Sequence, residues 1–478
     1  MVYTRRAGAK AGKGDLDGSA ADLRSAMQVG GSGEQKVGPH LQLARLLMDR
    51  GKTADAIPVL KQALALQPGH VEALFLLARC STLVQDEEAY EQALSGLEQT
   101  ETGRPLALAA RAEVLFAEGD IAGDETKRLK ALQDFEQVRD LLPTLPTPYV
   151  YRGRYFVQKE RFLDAIIELD RALERAPRLP AALLWKAVAQ NGAGRPKDAL
   201  ATEKDLELIL PDAACYTAMF RSNFLLGDLP EMEKAAGKLK ELGVEPTDTV
   251  QDLAKALRDA GRVDDAIAAV ESGLLLAGAQ NDPGLLFSLG VLLVDAGRYD
   301  EALGIFDRQE AAEQGIPGHT VDPFLPINRA RCLMALDRDV EAAAQLELFE
   351  QDVQPDSTSW LSLAHRRSEL FLKRTSPYYN PAGAVELTEH GLAVAKGVRI
   401  AHPALLLCSI EALAATHDFA GALARAKEAQ ASFPADVRFQ VAARALQFAA
   451  DGNVPGAIEA LRKPNDKDLN RVAAQLEG

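Results

Sequence analysis

Small residues recur in pairs along this chain, twelve positions apart, and the pairs repeat about every 34 residues. The first members are Ala44, Ala78, Ala112, Gly153, Ala187, Ala254, Gly290, Ala330, Ala364 and Ala445, with lapses at Phe220 and Ile410. Their partners include Ala56, Ala165, Ala199, Ala266, Ala302, Ala342, Ala422 and Ala457. Twelve residues carry a backbone from mid-helix, across a tight turn, to the middle of the returning helix. Small side chains at both points let two antiparallel helices approach closely. A sustained period of this length describes stacked helical hairpins, each resting on its neighbours.

The rest of each unit agrees. In TPYVYRGRYFVQKERFLDAIIELDRALERAPRLP, Tyr149, Arg152, Gly153 and Phe156 share one face of a first helix. Phe162, Ala165, Leu169 and Ala172 share one face of a second, which Pro177 stops. The first unit repeats the scheme with Leu43, Leu47, Gly51, Leu60, Ala63 and Pro68, and the eighth with Leu289, Leu293, Gly297, Tyr299 and Phe306. A glycine at the turn tolerates the left-handed backbone that ends a helix. This pattern closely resembles the tetratricopeptide repeat family over residues 37–463. The resemblance implies an all-α fold, a right-handed superhelical solenoid of about twelve helix–turn–helix repeats. Residues 1–36, Gly-rich with Arg5, Arg6, Lys10 and Lys13, are expected to be a flexible basic tail with a short helix possible over Ser19 to Val29. Residues 464–478 are expected to form a C-terminal capping helix over Asp466 to Leu476, which mildly favours a complete chain.

Departures from the pattern mark candidate contact loops. Tyr90 and Met232 stand where a small residue belongs. The third unit carries DIAGDETKRLK, Asp120 to Lys130, as a charged insert between its helices. The tenth carries KRTSPYYNP, Lys373 to Pro381, where adjacent Tyr378 and Tyr379 suit an edge-loop interaction. The ninth is preceded by the link IPGHTVDPFLPIN. Inserts of this kind fall on solenoid edges, as tolerated surface loops or as partner contacts.

A net charge of −15 and a pI near 5.1 argue against general binding to nucleic acid or to an anionic membrane. Cys80, Cys215, Cys332 and Cys408 are far apart and have no metal-ligand spacing. Each falls on an expected first helix, which implies reduced, partly buried thiols and a cytoplasmic setting. No apolar stretch is long enough to span a bilayer, and the positive N-terminus lacks the apolar core of a secretory signal. A protein whose signal had been removed would look the same, so a periplasmic setting stays open.

Chemistry is sparse. Gly8 to Gly14 imitates a phosphate loop, but the glycine spacing is one short, no Ser or Thr follows the lysine and no strand precedes it. His365 and Glu369 are four apart on one helix, but a third ligand is missing and Arg366 and Arg367 oppose a cation. Gly31-Ser32-Gly33 is no nucleophile elbow. No catalytic site, metal or cofactor is expected.

The resemblance implies a groove lined by first helices. The residue after each small position points into it, giving Arg45, Arg79, Glu113, Arg154, Val188, Arg221, Lys255, Val291, Arg331, His365, Glu411 and Leu446. Positions three before and four after add apolar groups, among them Phe75, Phe116, Phe224 and Phe287. In one reading the cations pair internally with acids such as Asp49, Asp259, Asp295 or Glu369. In the other they form a channel for a partner segment bearing acidic and apolar residues. The carboxylate clamp of chaperone-binding relatives is matched only in part, since Arg stands at the asparagine place and Leu41 or Val150 at the lysine place. The expected function is a non-catalytic protein–protein scaffold or adaptor. The alternatives are a substrate-presenting arm of a larger enzyme and a periplasmic envelope-assembly protein.

Overall fold

The computed structural model describes residues 2–12, 15–28, 33–275, 278–316, 322–354 and 357–477. Among these there are 27 helices and no strand. The chain divides into two compact units, Met1–Ala256 and Leu257–Gly478. The first unit contains α1 (Val2–Gly12), α2 (Leu16–Gln28), α3 (Gly33–Asp49), α4 (Thr53–Leu66), α5 (Val71–Val84), α6 (Glu87–Glu98), α7 (Arg104–Ala122), α8 (Glu125–Leu141), α9 (Thr147–Gln158), α10 (Phe162–Arg175), α11 (Pro180–Gly192), α12 (Pro196–Glu207), α13 (Ala213–Leu226) and α14 (Leu229–Glu241). The boundary falls within α15 (Thr247–Asp259). The second unit holds α16 (Val263–Leu274), α17 (Pro283–Asp295), α18 (Tyr299–Gln314), α19 (Leu325–Ala335), α20 (Asp339–Asp352), α21 (Thr358–Leu372), α22 (Pro381–Gly397), α23 (Pro403–Ala415), α24 (Phe419–Ser432), α25 (Val437–Ala450), α26 (Val454–Arg462) and α27 (Lys467–Leu476). From α3/α4, the first hairpin, to α13/α14, the sixth, and from α17/α18, the eighth, to α25/α26, the twelfth, consecutive helices pack as antiparallel pairs.

The small positions are contact points. Ala44, Ala56, Ala78, Ala165, Ala187, Ala199, Ala302, Ala330, Ala342, Ala364, Ala422, Ala445 and Ala457 are all fully buried. Where glycine replaces alanine the helices are closer still. A Cβ on Gly153 would stand 2.6 Å from Leu169 Cγ, and one on Gly290 would stand 2.3 Å from Phe306 Cε1. The lapses are repacked: Phe220 is buried against Met232 and Ala235, and Ile410 against Ala422 and Ala426. Tyr90, the other large partner residue, is half-buried at the margin of the core.

The turn is held more strictly than the small residue. Seven positions after the first member of most pairs the backbone is left-handed, at Gly51, Gly194, Gly261, Gly297 and Gly452 but also at Gln85, Glu160 and Asp337, the tenth hairpin being an exception because α21 runs on to Leu372. The lapses obey the same rule through Gly227 and His417. The next amide then donates back to the carbonyl five residues earlier, as Lys52 does to Leu47 (2.8 Å) and Arg161 to Phe156 (2.8 Å). That next residue also opens the second helix. Asp86, Asp228, Asp418 and Asn453 cap it with their side chains. Arg161, Arg195, Arg262, Arg298 and Arg338 cannot accept, and each instead bonds an acid three residues on.

Several expectations are corrected. The charged stretch Asp120 to Lys130 is no loop: α7 continues to Ala122 and α8 begins at Glu125, with Asp124 as its cap. Both helices of the third hairpin are lengthened. Counted from its left-handed Gly123, the contact position is Phe116, one turn beyond Ala112. The expected flexible tail forms α1 and α2, because Ala7, Ala20 and Leu23 make a shared apolar seam that the glycine content masked. Arg6 and Lys10 hold Asp22 across it, and Asp17 accepts from Arg50 of the first hairpin (2.5 Å). Lys13, Gly14, Gly31, Ser32 and residues 317–321 of the link before the ninth hairpin lie outside the described residues.

A polar cluster is buried between the fifth and sixth hairpins. Ser222 donates to Glu203 (2.8 Å), Asn191 to Ser222 (2.8 Å) and Thr202 to Gln190 (2.8 Å). Glu203 is fully buried with no cation beside it among the described residues, and burial pushes its carboxyl up to about 7. A raised folded-state pKa makes this contribution complete below the unfolded value near 4.5 and lost as pH rises through about 7. Glu203→Gln should therefore raise stability by about 1–3 kcal/mol at pH 8 and change little at pH 4, as read by denaturant melts at both pH values. Ala165→Leu, which adds bulk at a fully buried helix crossing, should cost about 1–3 kcal/mol in the same melts.

Candidate partner-binding grooves

In the first unit the inner faces of the first helices converge on a cavity of about 1190 Å³. One wall is α3 and α5, through Arg45, Met48, Asp49, Phe75 and Arg79. The opposite wall is the link from α10 to α11, through Arg175, Arg178 and Leu179. The stack curves enough to bring these together: a Cβ on Gly51 would lie 4.0 Å from Leu210, past the end of α12. A narrower cleft of about 110 Å³ continues from Arg79 past Val150 and Arg154 to Trp185.

The expected cation ladder is on this face, and its charges are internally paired. Arg45 holds Glu72 on the next first helix, and Arg79 donates to Glu113 (3.1 Å). Arg154 holds Asp120, and Arg221 donates to Asp252 (3.2 Å). Every one of these acids sits on the first helix of an adjacent hairpin. Lys255 is exposed and makes no ion pair among the described residues. Aromatics stack under the cations, Phe75 beneath Arg79 (5.9 Å) and Phe224 beneath Arg221 (5.1 Å). Phe116 is corrected: it is fully buried in the core, because the extra turn in α7 moved it to the helix crossing, and only its ring face meets Arg154 (5.5 Å).

The far wall was invisible to repeat counting. Arg175 donates to the carbonyls of Pro143 (2.6 Å) and Arg171 (2.6 Å) and to the Tyr149 hydroxyl (3.0 Å). These neutral acceptors fix its position, and the exposed Glu174 carboxylate lies 3.7 Å from it. Asp49 faces it across the cavity. Burial pushes the Asp49 carboxyl up to about 6, against Arg45, Arg178 and Arg79.

The second unit treats the same face differently. Arg331 donates to Asp295 of the previous first helix (3.2 Å), and Phe287 is half-buried on α17. His365 is corrected as a groove cation: burial pushes its imidazole down to about 3, so it is neutral, beside Glu369 (3.8 Å) and edge-on to His402 (5.7 Å). Here α27 packs against α23 and α26 and reaches α21 through side-chain hydrogen bonds. Leu469, Val472, Ala473 and Leu476 are buried with Leu406, Ile410 and Leu446. Arg471 donates to Glu369 (2.8 Å) and Glu411 (3.1 Å). Gln475 donates to Glu411 (3.2 Å) and to the Leu372 carbonyl (2.8 Å). Burial pushes Glu369 up, yet the Arg366 and Arg471 guanidiniums hold it well below the usual carboxylate range. The edge-loop tyrosines are partly used by this arrangement. Tyr378 packs against the core of the ninth and tenth hairpins, and the Tyr379 hydroxyl donates to Gln475 (3.4 Å).

Burial pushes the thiols of Cys80 and Cys332 up to about 11 and that of Cys215 up to about 12, so none is primed as a nucleophile. No group of three or more His, Cys, Asp or Glu placed to hold a metal occurs among the described residues. No described helix is long and apolar enough to cross a membrane.

No curated protein matches the chain. Among solved structures it is similar to a tetratricopeptide repeat protein from Parabacteroides merdae, at 14% identity over 55% of this chain and 98% of that one, with a TM-score of 0.34. It is similar to a chain of the APC/C hetero-tetramer Cut9–Hcn1 at 14% identity, over 99% and 95% of the two chains, TM-score 0.40. A third is YrrB, described as a TPR protein with an unusual peptide-binding site, at 17% identity over 47% and 94%, TM-score 0.28. Family models described as tetratricopeptide repeat match residues 37–80, 152–214 and 252–315. These matches fall on hairpins whose crossings and left-handed turns recur through both units, and the chain carries tetratricopeptide repeats, which support a protein–protein interaction scaffold in general.

Proposed function

We propose that this protein is a non-catalytic adaptor whose first-unit groove receives an extended segment of a partner protein carrying carboxylates and apolar side chains. The observation that carries this reading is the cavity of about 1190 Å³, in which Met48, Phe75 and Leu179 alternate with Arg45, Arg79 and Arg175. A guanidinium has five donors, and one neighbouring carboxylate does not exhaust them. A partner carboxylate adds to the open edge of an arginine already held in place by its neighbour. The apolar side chains between the arginines supply burial for the residues that flank it. The net charge of −15 favours a protein partner over nucleic acid, and four separate buried free thiols support a reducing, cytoplasmic setting.

A photo-cross-linking residue at Phe75 should capture the partner, and the same residue at exposed Glu174 on α10 should not. Arg45→Ala with Arg79→Ala should weaken the captured complex by at least about tenfold, the loss expected when a desolvated ion pair is removed, while far-UV circular dichroism is unchanged. Capture should fall with added salt. It should also strengthen as pH falls through about 6, because protonating Asp49 removes a negative charge from the cavity, and Asp49→Asn should abolish that dependence. A double variant that retains capture but melts at lower temperature would reduce the arginines to inter-repeat pairing.

A further inference from the structure

The inner-wall position that carries Arg45, Arg79 and Arg154 in the first unit carries Glu411 in the eleventh hairpin. Glu411 is only 3% exposed, and both of its polar partners, Arg471 and Gln475, come from α27. These bonds reach back 60 and 64 residues, and those of Arg471 to Glu369 and of Gln475 to Leu372 reach 102 and 103. Glu369 keeps a second cation on its own helix, Arg366 (2.5 Å), whereas Glu411 keeps none. With α27 out of place, Glu411 would lose both donors and lie open beside the Glu369 carboxylate, which would leave an acidic floor. A helix that covers this floor must supply the same donors.

We propose that the inner face of the tenth and eleventh hairpins is a receptor for an amphipathic helix carrying Arg and Gln one turn apart beside an apolar stripe, and that α27 is its displaceable built-in occupant. The partner is thus a basic, helical segment, opposite in charge to the one proposed for the first unit. The inference stands apart from that proposal, since it concerns other residues in the other unit. The tether favours exchange: α27 hangs on a short turn, with Asn465 left-handed after Pro464, and α26 before it has only nine residues. Four apolar side chains, Leu469, Val472, Ala473 and Leu476, supply the non-polar half of the contact.

The probe is a fluorescein-labelled peptide spanning residues 464–478, offered to the full chain as wild type and as Arg471→Glu. The substitution sets a third carboxylate against Glu369 and Glu411 and should expel α27. Fluorescence anisotropy should show the variant chain binding the wild-type peptide at least about tenfold more tightly than the wild-type chain does. A peptide carrying R471E should bind neither chain, and adding Glu411→Gln to the variant chain should weaken its binding. Equal binding by both chains, or no binding by a variant with unchanged helicity, would overturn the proposal. Should the variant fail to fold, hydrogen exchange on the wild-type chain decides. Amides of α27 should then exchange at least about tenfold faster than those of α25 and α26, and exchange in step with them would make α27 a fixed cap. A wild-type dimer that R471E dissociates would place α27 in a second copy and would equally overturn it.

Discussion

Everything in this structure depends on how closely two antiparallel helices can cross. At Gly153 and Gly290 even a methyl group would collide with Leu169 or Phe306, and at Ala44, Ala78, Ala187, Ala330 and Ala445 the methyl group is fully buried. The crossing is coupled to the left-handed residue seven positions on, since the amide that follows this residue returns to the carbonyl five positions before it and closes the turn. Fixing crossing and turn together fixes the rotation of the first helix. Its inner face is then set, and so is the row of residues it presents. The third hairpin shows the consequence of a shift: one added turn in α7 makes Phe116 the crossing residue and removes it from the groove. The other large crossing residues, Phe220 and Ile410, keep the register because Gly227 and His417 keep the turn.

Such features are legible in sequence because they are local. Ala44 and Ala56 announce a hairpin without reference to anything else, and the placement of all four cysteines on first helices followed from the same count. Features that depend on distant segments were not legible. Residues 2–28 look like a glycine-rich tail until Ala7 meets Ala20 and Leu23 and Asp17 meets Arg50. The α10–α11 link reveals nothing of its role until curvature brings Arg175 and Arg178 opposite Arg45. For α27, the apolar stripe of Leu469, Val472, Ala473 and Leu476 signalled a helix but not that it would pack on α23 and reach α21. Periodicity determines which residues face inward. It does not determine which of them meet.

The inward cations illustrate that difference. Reading every repeat at one position picked out Arg45, Arg79, Arg154, Arg221 and Arg331 as one row on the first helices. It did not show that Glu72, Glu113, Asp120, Asp252 and Asp295 reach them from adjacent first helices. The direction varies, with Arg45, Arg79 and Arg221 pairing to the following hairpin and Arg154 and Arg331 to the preceding one. Such pairs register neighbouring helices, and they leave the wall close to neutral while keeping many donors aimed inward. A chain with a large acidic excess can in this way line a groove with arginine at little electrostatic cost.

The two units use that wall under different energetic conditions. In the pair Arg45–Glu72 the side chains are 58% and 39% exposed, and in Arg221–Asp252 they are 55% and 31% exposed. Pairs so open to water contribute about 0–1 kcal/mol each, so rearranging them around an incoming carboxylate costs little. Arg79–Glu113 in the first-unit wall is more enclosed, at 30% and 11%. Glu411 beneath Arg471 is 4% exposed with α27 in place, so the helix that covers this carboxylate must also bring its donors. A groove walled by half-exposed arginine pairs is therefore stable when empty and can wait for a ligand. A groove floored by the neighbouring carboxylates Glu411 and Glu369 favours a basic helix, and α27 supplies those donors within the chain itself. The same repeat scaffold thus produces an open site and an occupied one by changing the sign and the depth of a single inner-wall residue.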